Sequence, residues 1–166
     1  MRALHALAPL ALLLVAGACG TEIGDECDVS SDCSSDGDRL CDVTSPGGYC
    51  TIVGCGYDTC PSEATCVRFF PASTVNLPCD PDTEGDTTRD CTADEVCTLA
   101  GTCAPRQAEA RFCMRRCSDP SDCRDGYECR DRELMAAHGG EPVPPPGERL
   151  PSEPQGFCAV SPFADE

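Results

Sequence analysis

Apolar residues crowd into one stretch near the start of the chain and are sparse everywhere after it. Residues 6–15 read ALAPLALLLV; beyond them the apolar positions are scattered among Asp, Ser, Thr, Gly and Pro. Two β-prone runs, TIV at 51–53 and VRFF at 67–70, predict short strands in small hairpins set between turns. Two windows rich in helix formers, RQAEARFCMRR at 106–116 and RDRELMAAH at 130–138, predict helices. The following segment, 139–155, contains EPVPPPGERLPSEP, too rich in proline for a helix or a central strand. It predicts an exposed polyproline-like loop whose far end is held by Cys158.

The apolar run has the length of the h-region of an export signal, with Arg2 as a short positive n-region. It is too short to cross a bilayer, which needs about 20 apolar residues. Small residues Ala16, Gly17 and Ala18 then lead into Cys19, and this stretch resembles the lipobox of bacterial lipoproteins. The resemblance implies cleavage after residue 18 and a diacylglycerol, with palmitate-type acyl chains, on the Cys19 thiol. Most lipoboxes carry Leu where Ala16 stands; ordinary signal cleavage, leaving Cys19 as a plain thiol, is the competing reading. Residues 19–26 then form a short polar tether. Gly20 stands where a retention signal for the inner membrane would often place Asp, so by analogy the destination is the outer membrane, its periplasmic or surface face left open.

Composition explains why the remainder needs special support. From Gly20 onward, Val, Ile, Leu, Met, Phe and Tyr supply only 25 of 147 residues, and Trp is absent. So thin an apolar content would by itself point toward disorder. However, 16 cysteines follow Cys19, and in an oxidising compartment crosslinks of about 2–4 kcal/mol each replace much of the missing burial. The count also has the right parity: 17 cysteines less the lipidated one leave 16, enough for eight bridges. The fold class predicted is therefore small and disulfide-rich: tandem, loop-rich cysteine modules with short β-hairpins and one or two short helices.

Net charge is −17, becoming −18 once Arg2 leaves with the signal, and every basic side chain is arginine. Such a surface repels nucleic acid and anionic lipid, so the expected membrane contact is the acyl anchor.

Cysteine spacing repeats. The first copy is Cys27, Cys33, Cys41 and Cys50; the second Cys79, Cys91, Cys97 and Cys103; the third Cys117, Cys123, Cys129 and Cys158. In each, an Asp precedes the second cysteine (Asp32, Asp90, Asp122) and the fourth closes a Gly-x-Cys (Gly48, Gly101, Gly156). An Asp there can close a local turn by accepting backbone N–H groups, and the Gly lets two segments approach closely. Cys55, Cys60, Cys66 and Cys113 remain. They form either a truncated unit completed by Cys113 after the second copy, or a unit that takes Cys79 and shifts the boundaries. About two million pairings of 16 cysteines exist, so spacing alone assigns no bond. The organisation expected is a signal at 1–18, a tether at 19–26 and modules at 27–50, 51–113 (with a repeat at 79–103) and 114–166.

The lipobox, together with repeats such as SDPSDCRDGYEC and CPSEATC, resembles the cysteine-rich lipoproteins abundant in myxobacteria. That resemblance implies an outer-membrane location and no particular activity. The Cys, Asp and Gly spacing is also similar to the small disulfide knots of dickkopf-type and WAP-type modules, which bears on fold style alone.

Chemistry is scarce. One histidine, His138, follows the signal; no Gly-x-Ser-x-Gly elbow or phosphate-binding loop occurs, and no two cysteines have the Cys-x2-Cys spacing of zinc ribbons. Acidic residues are everywhere, and no pair stands out as a general acid and base. Asp80, Asp82, Glu84 and Gly85, with Asp86 and Asp90 nearby, match the start of a calcium loop of the EF-hand type. Cys91 stands where its bidentate Glu belongs, and a similar run at Asp36-Gly37-Asp38 is shorter still. Arg106, Arg111, Arg115 and Arg116 form a basic cluster that either docks an anionic partner or pairs with neighbouring carboxylates. The reading is a non-enzymatic, membrane-anchored lipoprotein with a structural or binding role at the envelope. No cofactor is required, nucleic acid is not a partner, and a protein or polysaccharide is. A calcium-stabilised adhesion protein is the alternative, and a secreted protease inhibitor or enzyme a further one.

Overall fold

The computed structural model of the chain describes residues 21–74, 77–83, 90–148 and 153–163. All 16 described cysteines are bonded: Cys27–Cys41, Cys33–Cys50, Cys55–Cys66, Cys60–Cys113, Cys79–Cys97, Cys91–Cys103, Cys117–Cys129 and Cys123–Cys158. Each set of four is thus joined first to third and second to fourth. The leftover set obeys the same rule, because Cys60 reaches over the whole of 79–103 to Cys113. The unit at 79–103 is an insertion in the unit of Cys55, Cys60, Cys66 and Cys113.

One local plan accounts for this pairing. The third and fourth cysteines face each other across two antiparallel strands. These strands are β1 (Leu40–Cys41) with β2 (Cys50–Thr51), β3 (Ala64–Phe69) with β6 (Ala110–Arg115), β4 (Glu95–Cys97) with β5 (Cys103–Pro105), and β7 (Tyr127–Arg130) with β9 (Phe157–Val160). The first and second cysteines flank a loop before the hairpin, and the two bonds cross from that loop to its two strands. An isolated two-stranded hairpin is marginal in water; two crosslinks per hairpin make it persist.

The marks read in the sequence have visible jobs. The Asp32 carboxylate accepts the amides of Asp28 and Val29 at 2.9 and 3.0 Å, closing the loop onto helix α1 (Ser30–Cys33). Asp122 does the same with Ser118 and Asp119, at 2.7 and 3.2 Å. In the unit that lacks the Asp, Thr59 replaces it: its hydroxyl accepts the Gly56 amide at 2.8 Å. The glycines permit close approach. A Cβ on Gly48, which has φ of +67°, would lie 1.9 Å from the Cys27 carbonyl oxygen, and one on Gly156 2.8 Å from that of Cys117.

The units share one interior. β3 is the centre of a sheet ordered β6-β3-β8, with β8 (Glu141–Pro142) on its edge. On the other edge, Ile52 accepts the Cys113 amide and Gly54 donates to Arg111, so residues 52–54 extend the sheet. Ile23, Tyr49, Ala64 and Tyr127 pack with buried disulfide sulfurs at one end; Val67, Leu99, Met135 and Phe157 pack at the other. Tyr49 ties three units together: it stacks on Tyr127, accepts the Arg115 amide at 2.9 Å and donates to the Cys158 carbonyl at 3.3 Å. Burial pushes its phenol up to about 12, so it stays protonated and able to donate.

Three expectations need correction. Residues 106–116 are not a helix: Arg106–Ala108 is a single 3-10 turn and Ala110–Arg115 is strand β6. Pairing with β3 over six positions, together with the Cys60–Cys113 bond, overrides the helix preference of Ala, Gln, Glu, Met and Arg. The polar stretch before Cys27 is no free tether from Thr21 onward, because Ile23 is fully buried and the Gly24 amide bonds the Cys50 carbonyl at 2.9 Å. The proline-rich segment starts inside the fold, since Glu141 and Pro142 are buried as an edge strand, where a Pro costs no ladder bond. By contrast, the window at 130–138 does hold helix α2 (Arg132–His138), capped by Asp131 on the Leu134 amide at 3.0 Å. The runs at 51–53 and 67–70 fall on β2 with its extension and on β3.

Gly48→Ala is expected to abolish correct bridging of the first unit. Gly56→Ala, whose Cβ would meet only the Thr59 side chain, no nearer than 3.5 Å, leaves bridging intact. Peptide mapping of the oxidised variants checks this, and equal yields of native bridges would refute the close-approach account. A second expectation concerns acid. The Val29 and Asp28 amides hold the Asp32 carboxyl below its ordinary value. Its contribution is therefore complete above the usual carboxylate range and lost as pH falls through the lowered value. The Tm deficit of Asp32→Ala should narrow between about pH 5 and pH 2; a constant deficit would count against it.

Candidate functional site

Cys19, the candidate lipidation site, lies outside the described residues, as do Glu84, Gly85 and Asp86. The other sulfurs gather tightly: Cys27, Cys33 and Cys41 lie within 4.8 Å of one another, as do three from each of the other units. Each of these sulfurs is already in a disulfide and has no thiolate to offer a metal.

The described carboxylates of the calcium-like loop are engaged with the protein itself. Asp80 accepts the Asp82 amide at 3.0 Å, an Asx turn, and the Asp82 carboxylate meets Arg132 at 2.9 Å. Asp90 takes its place just before Cys91. In the shorter run, Asp38 accepts the Ser34 hydroxyl, which lowers its pKa.

The basic cluster is spread along β6 and its approach. Arg111 pairs with Glu109, and Arg115 with Glu22 at 3.0 Å and Asp25 at 3.7 Å. Arg106 reaches the Ala93 carbonyl at 3.5 Å, while Arg116 borders a cavity of about 250 Å³ beside Tyr57 and Pro142. His138 sits at the end of α2 with Nδ1 2.7 Å from Glu128, and the same carboxylate oxygen receives Arg130 Nε at 2.8 Å. Arg130 also donates to the carbonyls of His138, Gly139 and Val160 at 2.8–3.0 Å. This group ends the helix and fastens it to β9.

Two polar junctions had no signal in the spacing. Arg68 on β3 and Glu141 on β8 form a buried pair, Nε to Oε1 at 2.8 Å, with side-chain exposures of 6% and 3%. The second oxygen of Glu141 accepts the Leu99 amide at 2.6 Å, so one carboxylate joins the central sheet to the inserted unit. The partners lie 73 residues apart, which hides the pair from any local pattern. Arg124 lies over the Tyr127 ring at 4.2 Å and the Tyr49 ring at 5.7 Å, and bonds the Pro46 carbonyl at 3.0 Å. It holds the last unit against the first.

A largely apolar cavity of about 350 Å³ lies between the turn at Asp42, β6 and β9, lined by Phe69, Phe112, Met114 and Val160 among others. Its polar wall is already occupied: Asp42 accepts from Thr44 and Ser45, and Arg130 is bonded as above.

No protein-family model, no curated protein and no solved structure matches the chain. Its class is defined by its own geometry: a disulfide-stabilised, extracellular-type domain of four crossed-disulfide units around a shared core.

Arg68→Ala should cost about 3–5 kcal/mol, because it leaves the Glu141 carboxylate buried without its counter-charge. Arg115→Ala, at a half-exposed pair, should cost about 1 kcal/mol or less. Guanidinium unfolding with the disulfides intact compares them; equal losses would show that the Arg68–Glu141 junction is not a special point.

Proposed function

We propose that the chain is a non-enzymatic lipoprotein, fixed to the outer membrane through Cys19, whose crossed-disulfide body has a structural or binding role at the cell envelope. The observation that carries the reading is the complete pairing of the 16 cysteines after position 19. Such pairing needs an oxidising compartment, which fits a chain led by an export signal, and it leaves Cys19 as the one odd thiol. The groups with chemistry to offer also favour a binding role. His138, Glu128, Asp82 and Arg115 are engaged in contacts that hold segments together. A rigid, acidic body of this kind suits contact with a protein or polysaccharide.

Intact mass of the membrane-extracted protein tests the reading. The expected species begins at Cys19, carries a diacylglycerol and takes up no alkylating agent without reduction, and Cys19→Ser moves the protein to the soluble fraction. An unlipidated chain, or several alkylated thiols, would refute it.

A further inference from the structure

The stretch between the lipobox cysteine and the first unit is where an anchored protein would normally keep slack, and here it has almost none. Thr21 is the second residue after Cys19, so two peptide steps of about 3.8 Å each separate their Cα atoms. Thr21 is itself fastened: its hydroxyl donates to the Asp32 carbonyl at 2.9 Å, and its own carbonyl accepts from Arg39. The next residues continue the attachment, with Glu22 on Arg115 at 3.0 Å and Ile23 fully buried.

Thr21 therefore marks one spot on the surface, where α1 meets β1. Two exposed apolar side chains stand on the segments that hold it. Val29, just before α1, is 55% exposed; Leu40, on β1 beside Arg39, is 46% exposed. The two segments are held together by the Cys41 amide on the Ser30 hydroxyl at 3.2 Å and by the Cys27–Cys41 bond.

We infer that the first unit is seated directly in the headgroup layer of a zwitterionic bilayer, with Val29 and Leu40 facing the acyl boundary. This rests on the lipid-anchor reading above. Two side chains bring too little apolar area to bind a membrane alone; the acyl chains supply affinity, and the short, fastened link fixes orientation. Asp28, Asp36 and Asp38, exposed on the same unit, disfavour anionic lipid. Orientation follows for the rest of the body. Arg115 with Glu22, and Glu63 within 3.8 Å of Arg39, lie at the Ala64–Arg115 end of the β3–β6 ladder. The inserted unit leaves at the Phe69–Ala110 end, about 17 Å further along the strands. It is thus held away from the membrane, with its acidic residues Asp80, Asp82 and Asp94 presented outward.

The chain has no tryptophan, so one introduced indole reports its own position. Val29→Trp, Leu40→Trp and, on the inserted unit, Leu77→Trp (55% exposed) are each prepared in the full-length, membrane-extracted protein and placed in phosphatidylcholine vesicles with brominated acyl chains. Intact mass records the lipid and the absence of free thiols in each variant. Emission from the first two should fall roughly twofold or more against unbrominated vesicles, and emission from the third should stay within about a tenth. A lipidated, fully bridged protein with equal quenching at all three positions, or none at Val29→Trp and Leu40→Trp, overturns the seating alone. A chain without lipid overturns the anchor and the seating together.

Discussion

Everything in this fold depends on two disulfides crossing beneath a hairpin. The cysteines that oppose each other across a strand pair, such as Cys66 and Cys113, are not bonded to each other; each is bonded back to the loop that precedes the hairpin. A bond between opposed strand residues would only repeat what the ladder's hydrogen bonds already specify. The crossed arrangement instead adds a third segment to every two-stranded ribbon, turning a marginal element into a closed unit. It also sets the demand for small size where segments meet, which is why Gly48 and Gly156 lie against the carbonyls of Cys27 and Cys117.

Closed units alone would make a string of beads. Fusion comes from a few bulky side chains placed where units touch. Tyr49 and Tyr127 stack, Arg124 covers both rings, and the Tyr49 hydroxyl reaches two backbones in different units. Arg68 and Glu141 perform the matching task toward the inserted unit, through the Leu99 amide. Aromatic and arginine side chains suit these places because one long residue brings both apolar area and directed polar groups. A chain with so few apolar residues thereby gets a common interior from a handful of them.

What was legible in the sequence was whatever is local. Asp32 and Asp122 sit one residue before a cysteine and act within four residues, so spacing exposed both their presence and their turn-closing role. Spacing exposed the small disulfide-rich class for the same reason. Long-range relations stayed hidden. Residues 110–115 carry helix-forming residues, and only their partner strand, nearly 50 positions away, makes the alternation of Arg111, Cys113 and Arg115 against Phe112 and Met114 decisive. Ile23 is a lone apolar residue in a polar run, a pattern that reads as a tether until the pocket that receives it is known. Thr59 escapes the spacing because a hydroxyl stands where the other units have a carboxylate, and only the shared hydrogen bond reveals the equivalence.

The interval between the third and fourth cysteines is where the plan leaves the chain free. It holds 8 residues in the first unit, 46 in the second, 5 in the inserted unit and 28 in the last. The entropic cost of closing a loop grows only with the logarithm of its length, so a longer hairpin connection is nearly as easy to close as a short one. The hairpin base, clamped by its two bonds, does not register what its far end carries. In the second unit that far end carries an entire further unit; in the last it carries α2, the edge strand β8 and the proline-rich segment. Stability thus resides in the cysteine bases and diversity in the connections between third and fourth cysteines. Surfaces for contact can change there while the clamp that holds them does not.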